Sequence, residues 1–156
     1  MTDISLGAGA SIDHHKLQQE SPTAFHIAAV NVTQEAKSHF TSTSFALGAH
    51  LARADINVRF EAEDASCDLD GLYLTDGRQH VDHHTRIDHL FPRCTSRELY
   101  KGVLNGASRA VFNGRVVVHP NAQGSDAIQT NHNLLVSENA EIDTKPQLEI
   151  WADDVK

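Results

Sequence analysis

Several residue types are scarce in this chain of 156 residues. It has two cysteines, one tryptophan, one methionine and four prolines. The two cysteines, Cys67 and Cys94, lie 27 positions apart and form no Cys-x-x-Cys pair. They are too few and too far apart in sequence to indicate a disulfide framework or a cluster-binding loop. We therefore predict that both thiols are buried or idle.

Long hydrophobic runs and a basic leader are also missing. The first twenty residues contain no basic start followed by an apolar run, and nowhere are there eighteen consecutive apolar residues. Since this pattern gives neither a signal peptide nor a membrane span, we predict a cytoplasmic protein. Thirteen basic residues against twenty-one acidic ones give a formal charge of -8, which argues against binding to nucleic acid or to an anionic membrane through bulk electrostatics.

Catalytic motifs are absent as well. The chain has no Gly-x-Ser-x-Gly elbow, no Cys-His motif of known spacing and no glycine-rich phosphate loop before a helix. The carboxylates of Asp153 and Asp154 are adjacent, and neighbouring strand residues face opposite ways, so they are poorly placed to work together as acid and base. We predict solvated charge there and a protein that is not an enzyme.

Turn signals, by contrast, are abundant and regularly spaced. Ten turn-like points lie between 12 and 18 residues apart, with a mean of about 14, and no convincing helix fills the gaps. The one weak helical pattern covers residues 96 to 104. A repeated unit of one strand and one corner is typical of a coiled solenoid of strands. The central residues of the ten points are Ala10, Pro22, Ala36, Ala49, Ala65, Gly77, Pro92, Ala107, Ala122 and Ala140.

Apolar and polar residues alternate within these pieces. Ile56, Val58 and Phe60 share one phase and polar residues occupy the other, which is the period of a strand with one dry face. An antiparallel sandwich is the alternative, and spacing favours the solenoid over it. The sandwich is suggested by four hairpin-type dipeptides, namely Asp70-Gly71, Asp76-Gly77, Asn105-Gly106 and Asn113-Gly114.

Alanines recur at the turn-like points, where the rungs of a solenoid approach one another closely. We predict that a large side chain at any of these corners overpacks the fold. The prediction covers Ala36, Ala65, Ala107, Ala122 and Ala140.

Histidine is over-represented, with eleven copies, four of which lie between positions 80 and 89. On a strand, His80, Asp82 and His84 share one face and could be considered as metal ligands. Their parallel side chains would stand roughly 7 Å apart instead of converging on one atom. We therefore favour a ladder of hydrogen bonds and predict no stoichiometric iron, zinc or cluster. The same face also holds Arg86 and Asp88, and the opposite face holds Val81, His83, Thr85, Ile87 and His89.

The C-terminal piece is a candidate contact surface. Residues 147 to 154 are predicted to form a strand with an open edge, apolar on one phase and with Trp151 on the other. An open edge of this kind favours pairing, and we predict a two-fold dimer built around residues 143 to 156. The predicted partner interface comprises Leu148, Ile150, Trp151, Ala152, Asp153 and Asp154.

Four stretches of the chain resemble one family closely. They are residues 71–89 (GLYLTDGRQHVDHHTRIDH), 96–104 (SRELYKGVL), 111–135 (VFNGRVVVHPNAQGSDAIQTNHNLL) and 143–156 (DTKPQLEIWADDVK). They resemble the core of the SufB/SufD family, scaffold subunits of the SUF iron–sulfur cluster assembly system, and the SufD branch more than the SufB branch. The resemblance covers nearly the whole chain.

This resemblance implies a right-handed parallel β-helix, flattened so that each rung has two strands. It also implies one core domain over residues 1–156 that is truncated at both ends relative to the family. In the full protein the core would pair with a SufB-like subunit and a SufC-like ATPase, and the complex rather than this chain would handle the iron–sulfur cluster. The family's candidate functional histidine lies in a Cys-Ser-His-Gly stretch beyond the position of Lys156, so no functional residue is carried over and no cofactor is expected here.

Two other functions remain as alternatives. A β-helical polysaccharide lyase or hydrolase would stack sugars on aromatic rings, whereas this chain has one tryptophan and two tyrosines. A metal-binding module based on the histidine run would be separated from a scaffold core by iron titration.

Overall fold

The computed structural model describes residues 1–156 and contains eleven strands and no helix. It therefore holds no helix that is long and apolar enough to cross a membrane. The strands are β1 (Thr2–Leu6), β2 (Ser11–Gln18), β3 (Phe25–Gln34), β4 (His39–Ala46), β5 (Leu51–Phe60), β6 (Ser66–Thr75), β7 (His80–His89), β8 (Thr95–Leu104), β9 (Arg109–Val118), β10 (Asp126–Leu135) and β11 (Glu141–Ile150).

The strands form two parallel sheets. The six odd-numbered strands follow one another in one sheet and the five even-numbered strands in the other, so the chain changes sheet at every corner and completes about five turns. Leu51 pairs with Phe25, 26 positions earlier, and Glu141 pairs with Arg109, 32 positions earlier. A turn is thus about twice the 14-residue unit seen in the sequence, and the predicted all-β parallel solenoid is confirmed.

All ten predicted corners lie between strands, and the weak helical pattern at 96 to 104 lies within strand β8. Two of the glycines in the hairpin-type dipeptides, Gly77 and Gly106, occupy corners with φ of 61° and 67°, which suits glycine. Gly71 lies inside a strand instead, where an added Cβ would stand 2.2 Å from the Tyr100 ring. Such a glycine permits close packing and marks no hairpin.

The core fills the space between the two sheets. It consists of the inward phase of each strand, so Val58, Phe60 and Ile87 are completely buried, whereas Arg59 is exposed. Burial of side chains of this size is worth about 1.5–3 kcal/mol each. Because the rungs are stacked in register, each buried side chain also packs against its counterparts on the rungs before and after it.

The corner alanines do not all behave alike. Ala65, Ala122 and Ala140 are buried, with exposures of 1%, 0% and 6%, and Ala36 is half-buried. Ala107 is exposed, so its prediction as a packed corner was wrong. Ser108, which is fully buried, takes the inward place there and donates a hydrogen bond from Oγ to the carbonyl of Asn105.

Candidate partner interface

Strand β11 is one of the two edge strands of the six-stranded sheet and carries a row of apolar side chains. It pairs with β9 on one side only. Leu148 and Ile150 stack on Val116 and Val118, which are buried, yet the two residues themselves are 52% and 46% exposed. They belong to the inward phase, and within residues 1–156 no further strand covers them. Open backbone groups and exposed apolar side chains therefore occur together along this edge.

The strand begins and ends earlier than the sequence suggested, since β11 starts at Glu141. It ends at Ile150, and residues 151 to 154 form a corner. Trp151 donates its backbone N–H to the Val118 carbonyl at 2.8 Å, and its side chain is 65% exposed. Val155 then bridges to Ser125, so the chain has crossed to the other sheet. The predicted interface residues thus divide between the edge of β11 and the corner that follows it.

Hydrogen bonds fix that corner against the corner that precedes strand β10. Gly124 donates its N–H to the Asp154 carbonyl at 2.7 Å, and the Asp154 N–H donates to Gln123 Oε1 at 2.9 Å. Ala152 is half-buried and packs on the core. The carboxylates of Asp153 and Asp154 are exposed, and neither forms an ion pair. The corner thus presents one indole and two free negative charges.

The outward face of strand β7 carries the polar ladder predicted for the histidine run. Asp82 accepts a hydrogen bond from Arg53 Nη1 on the neighbouring strand at 2.7 Å, and its other oxygen lies 2.7 Å from His84 Nε2. Arg86 donates to both oxygens of Asp88 at 2.7 and 3.0 Å. His, Cys, Asp and Glu side chains nowhere form a group of three or more that could hold a metal ion. On this face they pair with basic and imidazole groups instead.

The inward face of β7 places two histidines in the core. His89 is completely buried, and its Nε2 lies 2.8 Å from Ser96 Oγ. His83 is 4% exposed and lies edge-on to Tyr73 and Tyr100, at 5.5 and 5.7 Å between ring centres. Burial lowers the pKa of both histidines to about 4. Both rings are therefore neutral in the folded protein at pH 7.

Both cysteines are buried, as predicted. Cys67 and Cys94 are 2% and 0% exposed. Burial raises the pKa of the Cys67 thiol well above its usual range, and burial also raises the pKa of Cys94. Thiolates are the reactive form of cysteine, so these thiols pack as small apolar groups.

Apolar side chains that the sequence analysis did not select lie on β10, next to the last corner. Ile128 and Leu134 project outwards from this strand and are 52% and 57% exposed. Thr130 and His132 separate them on the same face. The sequence gives only a weak sign that these side chains face outwards, because polar residues occupy both faces of β10 and apolar and polar residues alternate poorly there.

The fold and its surface define a class of protein: a parallel β-solenoid with ion pairs between side chains on its outer faces. Residues 1–156 match the family described as SUF system FeS cluster assembly, SufBD core domain. The chain therefore belongs to the SufBD core family of the SUF iron–sulfur cluster assembly system.

Similar proteins come from bacteria and plants. The chain is 36% identical over 153 residues to the iron-sulfur cluster assembly protein SufD of Escherichia coli, covering 98% of the chain and 36% of that protein. It is 35% identical over 156 residues to a SufBD family protein of Synechocystis, and this match covers 100% of the chain and 34% of that protein. It is 33% identical over 155 residues to the chloroplastic protein ABCI7 of Arabidopsis thaliana, and this match covers 99% of the chain and 33% of that protein. The chain thus spans about a third of the length of these curated relatives.

Proposed function

We propose that this chain forms the β-helical core of a SufD-like scaffold subunit, which pairs with a SufB-like subunit and a SufC-like ATPase while an iron–sulfur cluster is assembled. The observation that carries this proposal is the match of nearly the whole chain to SufD at 36% identity over 153 residues. The two-sheet parallel solenoid fits the same role. In this proposal the subunit is not an enzyme, and the cluster is cargo of the complex. A cytoplasmic location remains a prediction from the sequence.

The proposed partner interface is the edge of β11 together with the corner that follows it. Three features support it: the unpaired edge of β11, the exposed Leu148 and Ile150 on that edge, and the exposed Trp151 beside them. A partner strand that pairs with β11 would satisfy its backbone groups and cover the apolar row at the same time. Aromatic residues are enriched where binding energy concentrates in interfaces, and Asp153 and Asp154 would form the polar rim.

The test is co-expression of the 156-residue chain, for which this edge is described, with a SufB-like subunit from the same organism, followed by affinity purification. Ile150→Asp places a charge on the proposed edge, and we expect it to abolish recovery of the SufB-like subunit. Ile27→Asp is the matched control, because Ile27 is an exposed isoleucine, 72% exposed, on strand β3, far from β11 in the sheet order. Equal recovery with both variants would refute this interface.

The same edge would also allow two copies of the chain to associate. When no SufB-like subunit is present, two copies can pair along β11 about a two-fold axis, since each offers the same unpaired edge to the other. We expect sedimentation to show a dimer of the 156-residue chain at tens of micromolar and Ile150→Asp to convert it to a monomer. A wild-type monomer under these conditions would contradict the proposal.

A further inference from the structure

An open cleft lies on the outer face of the six-stranded sheet, towards the carboxyl ends of β5 and β7. Its volume is about 400 Å³, within the range of clefts that hold small molecules. Two arginines line it, and only one lining residue is apolar. The six lining residues are Asn57, Arg59, Arg86, Asp88, Leu90 and His119. The cleft therefore suits a small charged group better than an apolar ligand.

Arg59 stands in this cleft without a hydrogen-bonded partner. Its side chain is 56% exposed, and its Nη2 lies 3.7 Å from Glu61 Oε1, which is too far for a hydrogen bond. Its register partner on β7 is Asp88. Arg53 and Asp82, which pair in the same register earlier on these strands, form an ion pair at 2.7 Å. The guanidinium group of Arg59 thus departs from the pairing seen at the other end of the two strands.

Asp88 does not pair with Arg59 because its carboxylate already has other partners. Arg86 donates from Nε to one oxygen of Asp88 at 2.7 Å and from Nη2 to the other at 3.0 Å. His119 Nε2 lies 3.4 Å from the second oxygen. Asp88 is buried, so these contacts hold its carboxylate in place. The lining of the cleft therefore contains two guanidinium groups and one carboxylate, which is an excess of one positive charge.

The strands beyond the cleft do not remove this excess. Arg115 on β9 lies directly opposite Arg86, and like charges in this arrangement repel each other. Glu149 on β11 is near enough to attract Arg86. However, its two oxygens lie 2.9 and 3.0 Å from nitrogens of Arg115, so these two charges balance each other. An anion bound beside Arg59 and Arg86 would therefore be favoured.

Arg59 and Arg86 are placed to hold one ligand between them. Arg86 is in register with Asn57, two positions before Arg59, so the two arginines are diagonal neighbours on one face. Diagonal neighbours stand about 7–8 Å apart, within reach of long side chains. Each guanidinium has five N–H groups, of which Arg86 uses two for Asp88 and Arg59 uses none. A tetrahedral phosphate can accept hydrogen bonds from both groups, whereas one bidentate guanidinium already fills the two oxygens of a carboxylate.

We propose that this cleft binds the phosphate group of a small molecule, held between the guanidinium groups of Arg59 and Arg86. Free phosphate and a phosphate ester offer the same oxygens to these side chains. The ligand would offset the excess positive charge, and Asp88 would hold Arg86 in position through its two hydrogen bonds. The proposal is independent of the assembly role proposed above, because the cleft centres on β5 and β7 and includes no residue of β11.

The first test is a titration of the isotope-labelled 156-residue chain with inorganic phosphate, followed by NMR at neutral pH and constant ionic strength. We expect saturable shifts of the Nε–H signals of Arg59 and Arg86. Arg59→Met should weaken binding by about tenfold or more, as the loss of a charged hydrogen-bond donor does. Arg59 is exposed, so this change should leave the fold intact.

Arg78→Met is the matched control, because Arg78 is an exposed arginine that forms no ion pair and lies outside the cleft. We expect it to bind phosphate as the wild type does. Shifts that do not saturate in the wild type, or equal affinity in Arg59→Met and the wild type, would overturn the proposal.

The second test separates a built site from general attraction to positive charge. Arg59→Lys keeps the charge but loses the planar fork that binds two phosphate oxygens at once. We expect its affinity for inorganic phosphate to fall several-fold. An affinity equal to that of the wild type would mean that charge alone attracts the ion, and would contradict the proposal.

A third titration compares inorganic phosphate with glycerol phosphate and with acetate. Tighter binding of glycerol phosphate would identify a phosphate ester as the preferred ligand, and tighter binding of inorganic phosphate would identify the free ion; either result supports the site. Acetate that binds as tightly as both phosphates would contradict the proposed selectivity for a tetrahedral group.

Discussion

The corner at Ala65 offers a direct test of how tightly the turns of the solenoid are stacked. Ser38, Ala65 and Cys94 precede successive strands of the five-stranded sheet and are all buried. The Ser66 N–H donates to the Ser38 carbonyl at 2.9 Å, and the Thr95 N–H donates to the Ala65 carbonyl at 3.0 Å. Neighbouring rungs therefore enclose the methyl group of Ala65 from both sides.

We expect Ala65→Leu to destabilise the protein because its additional carbon atoms have no space to occupy. Overpacking of this kind costs about 1–3 kcal/mol, which lowers the unfolding midpoint of a chain of this length by about 2 to 12 °C. Ala107→Leu is the matched control, since Ala107 is an exposed corner alanine. Its midpoint should change by less than about 2 °C, as for an ordinary surface substitution.

Differential scanning calorimetry of the two variants and the wild type decides the matter. Equal losses for both variants would mean that Ala65 and Ala107 occupy similar environments. Unchanged midpoints for both would mean that the corners are loose loops. Either result would refute the stacking described here.

Three further predictions concern the interior. Gly102→Ala should lower the free energy of unfolding by on the order of 1–3 kcal/mol, because the added Cβ would lie 2.0 Å from the Tyr73 ring. Gly7→Ala should lower it far less, because nothing lies within 4 Å of a Cβ at that position. Chemical denaturation compares the two variants, and similar losses of stability would contradict the packing. Burial lowers the folded-state pKa of His83 and His89 to about 4, below the usual histidine value of about 6.5. Each therefore contributes stability that is complete above pH 6.5 and is lost as the pH falls towards 4, by up to roughly 3 kcal/mol per histidine. Denaturant titrations across this range should show a shallower loss in His89→Asn than in the wild type, and an identical slope would count against a buried neutral His89. Both thiols should react with Ellman's reagent only after unfolding, since Cys67 and Cys94 are 2% and 0% exposed; rapid reaction of either in the folded protein would show that its corner or strand opens.

Regular corners and alternating strands made the solenoid predictable from sequence. Local chemistry determines both features: turn residues punctuate the chain, and a period of two defines a strand whatever surrounds it. The pattern at 96 to 104 shows the limit. Leu99, Tyr100 and Val103 fit a helical spacing, yet in β8 Leu99 and Tyr100 lie on opposite faces of a strand. Pairing with two neighbouring strands settled that ambiguity.

The contacts between turns were not predictable in the same way. The sequence does not show that Ser108 rather than Ala107 turns inwards, or that β11 ends at Ile150 so that residues 151 to 154 cross between sheets. Both depend on residues about 30 positions away in the chain. The inward position of Lys16 was also missed, because polar residues occupy both phases of β2 and leave no alternation to detect.

The most direct test of the assembly role is native mass spectrometry of the full-length protein purified through an affinity tag from its own organism. We expect a complex whose mass includes this protein, a SufB-like subunit and a SufC-like ATPase, because the chain belongs to the SufBD core family over its whole length. Recovery of this protein only as a monomer or homodimer, while the SufB-like and SufC-like subunits form a complex without it, would contradict the proposed function.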